Sequence, residues 1–217
     1  MTRRLATLLR TLNCIFALLI SGVWAAGQST SNVPAPINGE ERWKWFALST
    51  VGPQSLAGGA ISAGWGTLFN TPREYGTHWD GFGKRFGMRL TGLSVSNAAE
   101  AGLGSIWGED PRYIPTQGLP FRNRVGHVVK MTFVARYWDG GDRPAYARYI
   151  AISGNNFMSN AWRADSEATL GHAGVRILLG FVGRMSGNAF QEFWPSVVGR
   201  FHKDKSSAVP AAGKHLP

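Results

Sequence analysis

The chain has 217 residues, a formal net charge of +10 and 28 glycines, but a single cysteine. That length suffices for one domain with a sizeable core. The lone Cys14 excludes internal disulfides and Cys-based zinc sites, and the absence of any block of five or six like charges argues against a nucleic-acid-binding arm.

Residues 1–27 read as a secretory signal peptide. Arg3, Arg4 and Arg10 form a basic start, Leu12–Ile20 an apolar core, and Ala25-Ala26-Gly27 a small-residue exit. Cleavage after Ala25 or after Gly27 places small or short side chains at both recognition positions. The apolar core is too short for a relaxed transmembrane helix, which needs about 20 residues. The expected location is therefore outside the cytoplasm, in the periplasm or outer envelope. Cys14 leaves with the signal, so the exported chain has no thiol chemistry. The three signal arginines also leave, reducing the charge to +7. A basic exported protein meets anionic lipid head groups or envelope polymers first.

Residues 28–39 are polar with two prolines and read as a flexible lead-in. A single helical domain is expected over 40–203, with a disordered tail over 204–217. The fold class is mainly α, a bundle of about five helices. Helix one starts near Glu40-Glu41, acids that suit a helix N-terminus, and is kinked or interrupted at Pro53. Phe46–Phe69 carries no charged residue. The stretch is long enough to cross a bilayer, but its Ser, Thr, Gln and Gly content equally suits a buried helix of a soluble bundle.

Asn70–Thr77 reads as a loop, and Thr77-His78-Trp79-Asp80 as a capping box opening helix two, which runs to Trp107. Gly108–Asn123, with three prolines, reads as an irregular connection. Helix three is expected over 124–138. The alternation within His127–Trp138, followed by the turn Asp139-Gly140-Gly141-Asp142, also permits a short hairpin near 127–152. Asp142 and Pro144 fit the N-cap and first turn of helix four, which runs to Trp162. Asp165 or Ser166 caps helix five, which is interrupted at Pro195.

Small residues recur at helical spacing: Gly83 and Gly87, Gly183 and Gly187, Ala60 and Gly64, Ala98 and Gly102. Residues i and i+4 share a helix face, so these pairs suggest shallow grooves for close helix packing. The grooves serve either a soluble bundle or a membrane-inserted or homo-oligomeric assembly. Arg85, Arg89, Arg176 and Arg184 on the same helices weigh against insertion. Trp residues near helix ends suit either a core or a membrane interface.

Trp107-Gly108-Glu109-Asp110-Pro111-Arg112-Tyr113 is the most distinctive loop. Glu109, Asp110, Arg112 and Tyr113 are the candidate ligand-binding residues, but the commoner role of such a set is structural, with Asp110 and Arg112 bracing the loop. The five histidines show no metal-ligand spacing, and no nucleophile-elbow, P-loop or dinucleotide fingerprint occurs, so no metal, cofactor or catalytic residue is assigned. The Trp107–Tyr113 segment and Asn188-Ala189-Phe190-Gln191-Glu192-Phe193-Trp194-Pro195 resemble recurrent pieces of an uncharacterised family of exported, helical bacterial proteins. The resemblance covers roughly 45–203 and implies export and a helical fold; it brings no catalytic residues. The expectation is an exported envelope protein with a structural or interaction role at or near a membrane. The alternative is a soluble periplasmic enzyme or ligand-binding protein using the 107–113 loop. A polar pocket with Asp110 and Arg112 favours the alternative, and a continuous exposed apolar helix face favours the first reading.

Overall fold

The computed structural model describes residues 35–116 and 118–207, leaving aside the side chains of 198–207. The expected signal peptide, most of the lead-in and the tail beyond 207 lie outside these residues. The described chain is mainly helical. It has six α-helices: α1 (Gly39–Val51), α2 (Pro53–Leu68), α3 (Trp79–Trp107), α4 (Phe121–Phe133), α5 (Tyr146–Met158) and α6 (Leu170–Ser207). Strands β1 (Glu109–Asp110), β2 (Val134–Tyr137) and β3 (Asp142–Pro144) form an antiparallel sheet in that order. The described residues group into two compact units, 35–112 with 131–184, and 113–130 with 185–207.

In the first unit α1 opens on a capping box. Asn38 Oδ1 accepts from the Glu41 N–H at 2.9 Å, and Glu41 accepts from the Asn38 N–H at 3.1 Å, satisfying two backbone donors. Pro53 forces the preceding residue into extended geometry, so Gly52 takes ψ 160° and α2 restarts with proline at its first turn. This is the interruption expected at Pro53. Helices α1 and α2 lie on α3, and α3 lies along α5. Asn97 on α3 donates to the Thr50 hydroxyl on α1 at 3.1 Å.

The inner face of α2 consists of Gly59, Ala63 and Gly66. A Cβ on Gly59 would stand 2.9 Å from Phe86 and Arg89, and one on Gly66 would stand 2.9 Å from Arg85. The outer face carries Ala57, Ile61, Trp65 and Leu68, spaced i, i+4, i+8 and i+11. Ile61 is 74% exposed, Trp65 66% and Leu68 74%. The usual polarity of a surface helix is thus reversed. Among the described residues no helix is long and apolar enough to cross a membrane.

Several local expectations are corrected. Helix α3 begins after His78, with no side-chain cap, so Thr77 lies one residue too early for the capping box. The 127–138 segment divides: α4 ends at Phe133 and the alternating remainder pairs as β2 with β3 across the Asp139–Gly141 turn. Asp142 and Pro144 lie in β3, so neither opens a helix, and α5 starts at Tyr146. Thr169 caps α6, its hydroxyl accepting from the His172 N–H at 3.2 Å, in place of Asp165 or Ser166. Pro195 does not end α6. It and Gln191, whose carbonyl loses its helical donor, both lie on the exposed side, where water can satisfy that carbonyl.

In the second unit α4 begins from Pro120, whose carbonyl accepts from the Arg124 N–H at 3.1 Å. Phe121 and Phe193 approach at 5.3 Å between centroids, and the Arg124 guanidinium lies 4.6 Å over Phe193.

Of the expected helix-packing glycines, three meet no neighbour within the described residues. Gly83, Gly87 and Gly183 are exposed, and nothing stands within 4 Å of a Cβ placed on them; Gly187 is half-buried. Gly81 is a packing glycine instead: its Cβ would fall 2.3 Å from the Tyr75 carbonyl oxygen and 2.6 Å from that of Gly76. Gly81→Ala should therefore destabilise by about 1–3 kcal/mol. Gly87→Ala should be neutral or stabilise by up to about 1 kcal/mol through helix propensity. Chemical denaturation of both variants checks the contrast, and equal losses would refute it.

Candidate functional site

The interior of the first unit contains charge. Arg148 of α5 is 1% exposed and Glu100 of α3 is 4% exposed, and their Nε and Oε1 atoms are 2.9 Å apart. The same oxygen accepts from Arg184 Nη2 at 3.0 Å. Arg148 Nη1 donates to the carbonyls of Met131 and Thr132 at 2.7 and 3.0 Å. These are among the last carbonyls of α4, which have no partner within their own helix, and a cation there also suits the helix dipole. Arg184 further donates to the Pro111 carbonyl, and its guanidinium stands 5.4 Å from the Trp45 ring centroid. Burial pulls the Arg184 pKa down to about 10, opposed by Glu100; it remains protonated at neutral pH.

Glu109, the first candidate ligand-binding residue, is 2% exposed. Both its oxygens accept from the Ala147 N–H at 3.1 Å, and Oε1 accepts from the Tyr137 hydroxyl at 2.7 Å. It is thus the N-terminal cap of α5, supplied from 38 residues away. Burial, then the bond to Glu109, raises the Tyr137 pKa well above the usual phenol value.

Asp110 and Arg112 pair with each other. Arg112 Nε lies 3.0 Å from both carboxylate oxygens and Nη2 lies 2.7 Å from Oδ2. The Arg112 N–H also donates to Oδ1 at 2.9 Å, and Arg112 reaches Glu41 at 3.3 Å. The Asp110 hydrogen bond is the leading reason that the Arg112 pKa stands above its ordinary value. Arg42 donates to the carbonyls of Ala101 and Glu109 at 3.3 and 3.0 Å. Beside this lattice lies a cavity of about 250 Å³ whose polar lining includes Arg42, Asp110, Arg136 and Tyr137, with Trp138 on one side. Each of those polar side chains already has a partner in the chain. Arg112 does not line the cavity, and typical ligand pockets measure roughly 300–1,000 Å³.

Tyr113, the fourth candidate, belongs to the second unit. Its hydroxyl donates to Glu192 Oε2 at 2.7 Å. Glu192, with a wholly buried side chain, also accepts from the Thr116 N–H at 2.9 Å, the Thr116 hydroxyl at 3.1 Å and Arg124 Nε at 2.7 Å. Tyr113 and Glu192 come from the two segments that carried the family resemblance, and the structure joins them directly. Two further arginines gather carbonyls of loops and of a helix end in the first unit. Arg85 donates to Thr71, Pro72 and Gly76 at 2.7–2.8 Å. Arg176 donates to Glu167 and Asn156 at 2.8 and 3.0 Å.

Among the described residues no group of three His, Cys, Asp or Glu side chains could hold a metal ion. Comparison of the chain with known proteins gives no match to a protein family, to a curated protein or to a solved structure.

Glu100, Arg148 and Glu192 were not singled out from the sequence. One signal was present: Arg148 stands alone among Ala147, Tyr149, Ile150 and Ala151, and Glu100 among Ala98, Ala99 and Ala101. A single charge in a run of small or apolar residues is either exposed or internally paired.

The Glu192 cluster yields a pH prediction. Desolvation raises the carboxyl pKa, but hydrogen bonds from Arg124, Tyr113 and Thr116 outweigh it and hold the folded value below 4.5. The stabilisation is therefore complete above that unfolded value and is lost as pH falls through the lower folded one. Glu192→Gln should cost about 2 kcal/mol at pH 7, with a smaller gap from wild type at pH 3. Melting at both pH values tests this, and a gap that widens in acid would contradict it.

Proposed function

We propose that this chain is an exported envelope protein with a structural or interaction role at a membrane surface. The supporting observation is the reversed polarity of the first unit. Arg85, Glu100, Glu109, Asp110 and Arg148 lie inside, while Ile61, Trp65, Leu68 and Phe69 face outward. Contiguous exposed apolar patches beyond a few hundred Å² mark interaction sites on soluble surfaces. The signal-like first 27 residues support export.

The inward arginines change the weight of the sequence argument. Charges on the helices argue against lipid contact only when they face outward. Arg85 of α3 and Arg148 of α5 are turned towards carbonyls and carboxylates of their own chain, and α2 itself carries no charged residue.

A second reading, ligand binding beside the 107–113 loop, has the 250 Å³ cavity in its favour. The internal engagement of Asp110 with Arg112 and of Arg42 with backbone carbonyls weighs against it.

Cell fractionation with intact-mass analysis tests the proposal. The expected outcome is a chain starting at Ala26 or Gln28, retained on membranes through a high-salt wash. Recovery in the soluble fraction with Met1–Arg10 intact would contradict both export and membrane association.

A further inference from the structure

Resting on that membrane reading, we infer that α2 is the contact element: its outer face inserts, parallel to the surface, into one leaflet of a lipid bilayer. Ile61, Trp65, Leu68 and Phe69 form the inserting set, exposed by 58 to 74%. Trp65 and Phe69 lie 4.7 Å apart at the C-terminal end of the helix, where the amphipathic indole of Trp65 suits the boundary between head groups and acyl chains. The inner face of Gly59, Ala63 and Gly66 is seated on α3, so the helix is held flat against its own unit.

The charge pattern selects the occupant. Residues 46–69 carry no charge, and the charges immediately outside them balance: Glu40 and Glu41 against Arg42 and Lys44, and Arg73 against Glu74. Lys44 is already bonded to Glu40 at 2.7 Å. An uncharged face with neutral ends is complementary to hydrocarbon beneath zwitterionic head groups. Area points the same way. Taking about 200 Å² for a large side chain, the four residues present on the order of 500 Å² at these exposures, below the roughly 800 Å² a side of a stable protein pair. The attraction is apolar, so head-group charge and salt should matter little, despite the basic net charge of the chain.

A position-specific probe tests this in the exported chain, from which Cys14 and the apolar signal core have been cleaved. Ile61→Cys and Lys84→Cys are each labelled with the environment-sensitive fluorophore NBD. Both positions are exposed, at 74% for Ile61 and 57% for the Lys84 side chain. Vesicles of phosphatidylcholine, with and without phosphatidylglycerol, carry a nitroxide quencher in their acyl chains. The expected result is at least threefold quenching at position 61, little at position 84, and vesicle affinities within threefold of each other at low and high salt. Flotation with vesicles but no quenching at 61 overturns the assignment to α2 while leaving the membrane reading intact. Failure to float with either vesicle overturns both. Shielding at 61 that needs no vesicles and grows with protein concentration identifies a second copy of the chain as the occupant and overturns the lipid assignment. Equal melting of the labelled and unlabelled chains establishes that each outcome reports on the folded protein.

Discussion

The fold of the larger unit depends on the Glu100 carboxylate and the two guanidinium groups that meet on it. Glu100 lies on α3, Arg148 on α5 and Arg184 on α6, while Arg148 also closes the carbonyl end of α4. One buried cluster therefore connects four helices. Burying such a pair carries a desolvation cost that the ion pair alone need not offset. The planar, five-donor guanidinium makes up the difference by bonding several acceptors at once. Lysine, with a compact ammonium group, could not reproduce the reach of Arg148 across a carboxylate and two carbonyls.

The use of guanidinium groups as internal connectors explains the composition. The buried apolar residues of this unit are chiefly alanines, among them Ala63, Ala135, Ala145, Ala147, Ala151 and Ala173. Small side chains leave room for Arg85, Arg148 and Arg176 to gather carbonyls from loops and helix ends. Glycines on α2 make room at the α2–α3 contact for the side chains of Arg85, Phe86 and Arg89. The larger apolar residues are then free for the outside, and α2 shows this most clearly. Polar connectors inside and an uncharged outer helix face are one arrangement, and it underlies the proposed membrane role.

Features legible in the sequence were those set by local chemistry. The break at Pro53 follows from proline sterics, and the long α3 ends where Gly108 adopts a left-handed conformation with φ 78°. The uncharged 46–69 stretch was visible as composition, but its two faces were not, because the small inner face and large outer face follow from which side meets α3. The N-terminal cap of α5 escaped detection because it comes from Glu109, beyond the reach of any local pattern. A suitable local candidate, Asp142, pairs instead with Arg136 in the hairpin. The division of 127–138 follows from tertiary partners as well: Arg148 and the Tyr149 hydroxyl take carbonyls at the end of α4, and β1 supplies an edge for β2. The Asp110–Arg112 brace was anticipated by spacing alone. The Tyr113–Glu192 bond spans 79 residues and had no local signal beyond the two distinctive segments themselves.

A double-mutant cycle on Glu100 and Arg148 measures most directly whether buried ion pairing organises the unit. Glu100→Gln, Arg148→Met and the double variant are compared with wild type by chemical denaturation. Each single change should cost about 3–5 kcal/mol, since the remaining partner is left buried and uncompensated. The double variant should lose at least about 2 kcal/mol less than the sum of the two, a coupling expected of directly contacting residues. Single losses within about 0.5 kcal/mol of wild type, the range of ordinary surface substitutions, or strictly additive losses would contradict a fold organised around this pair.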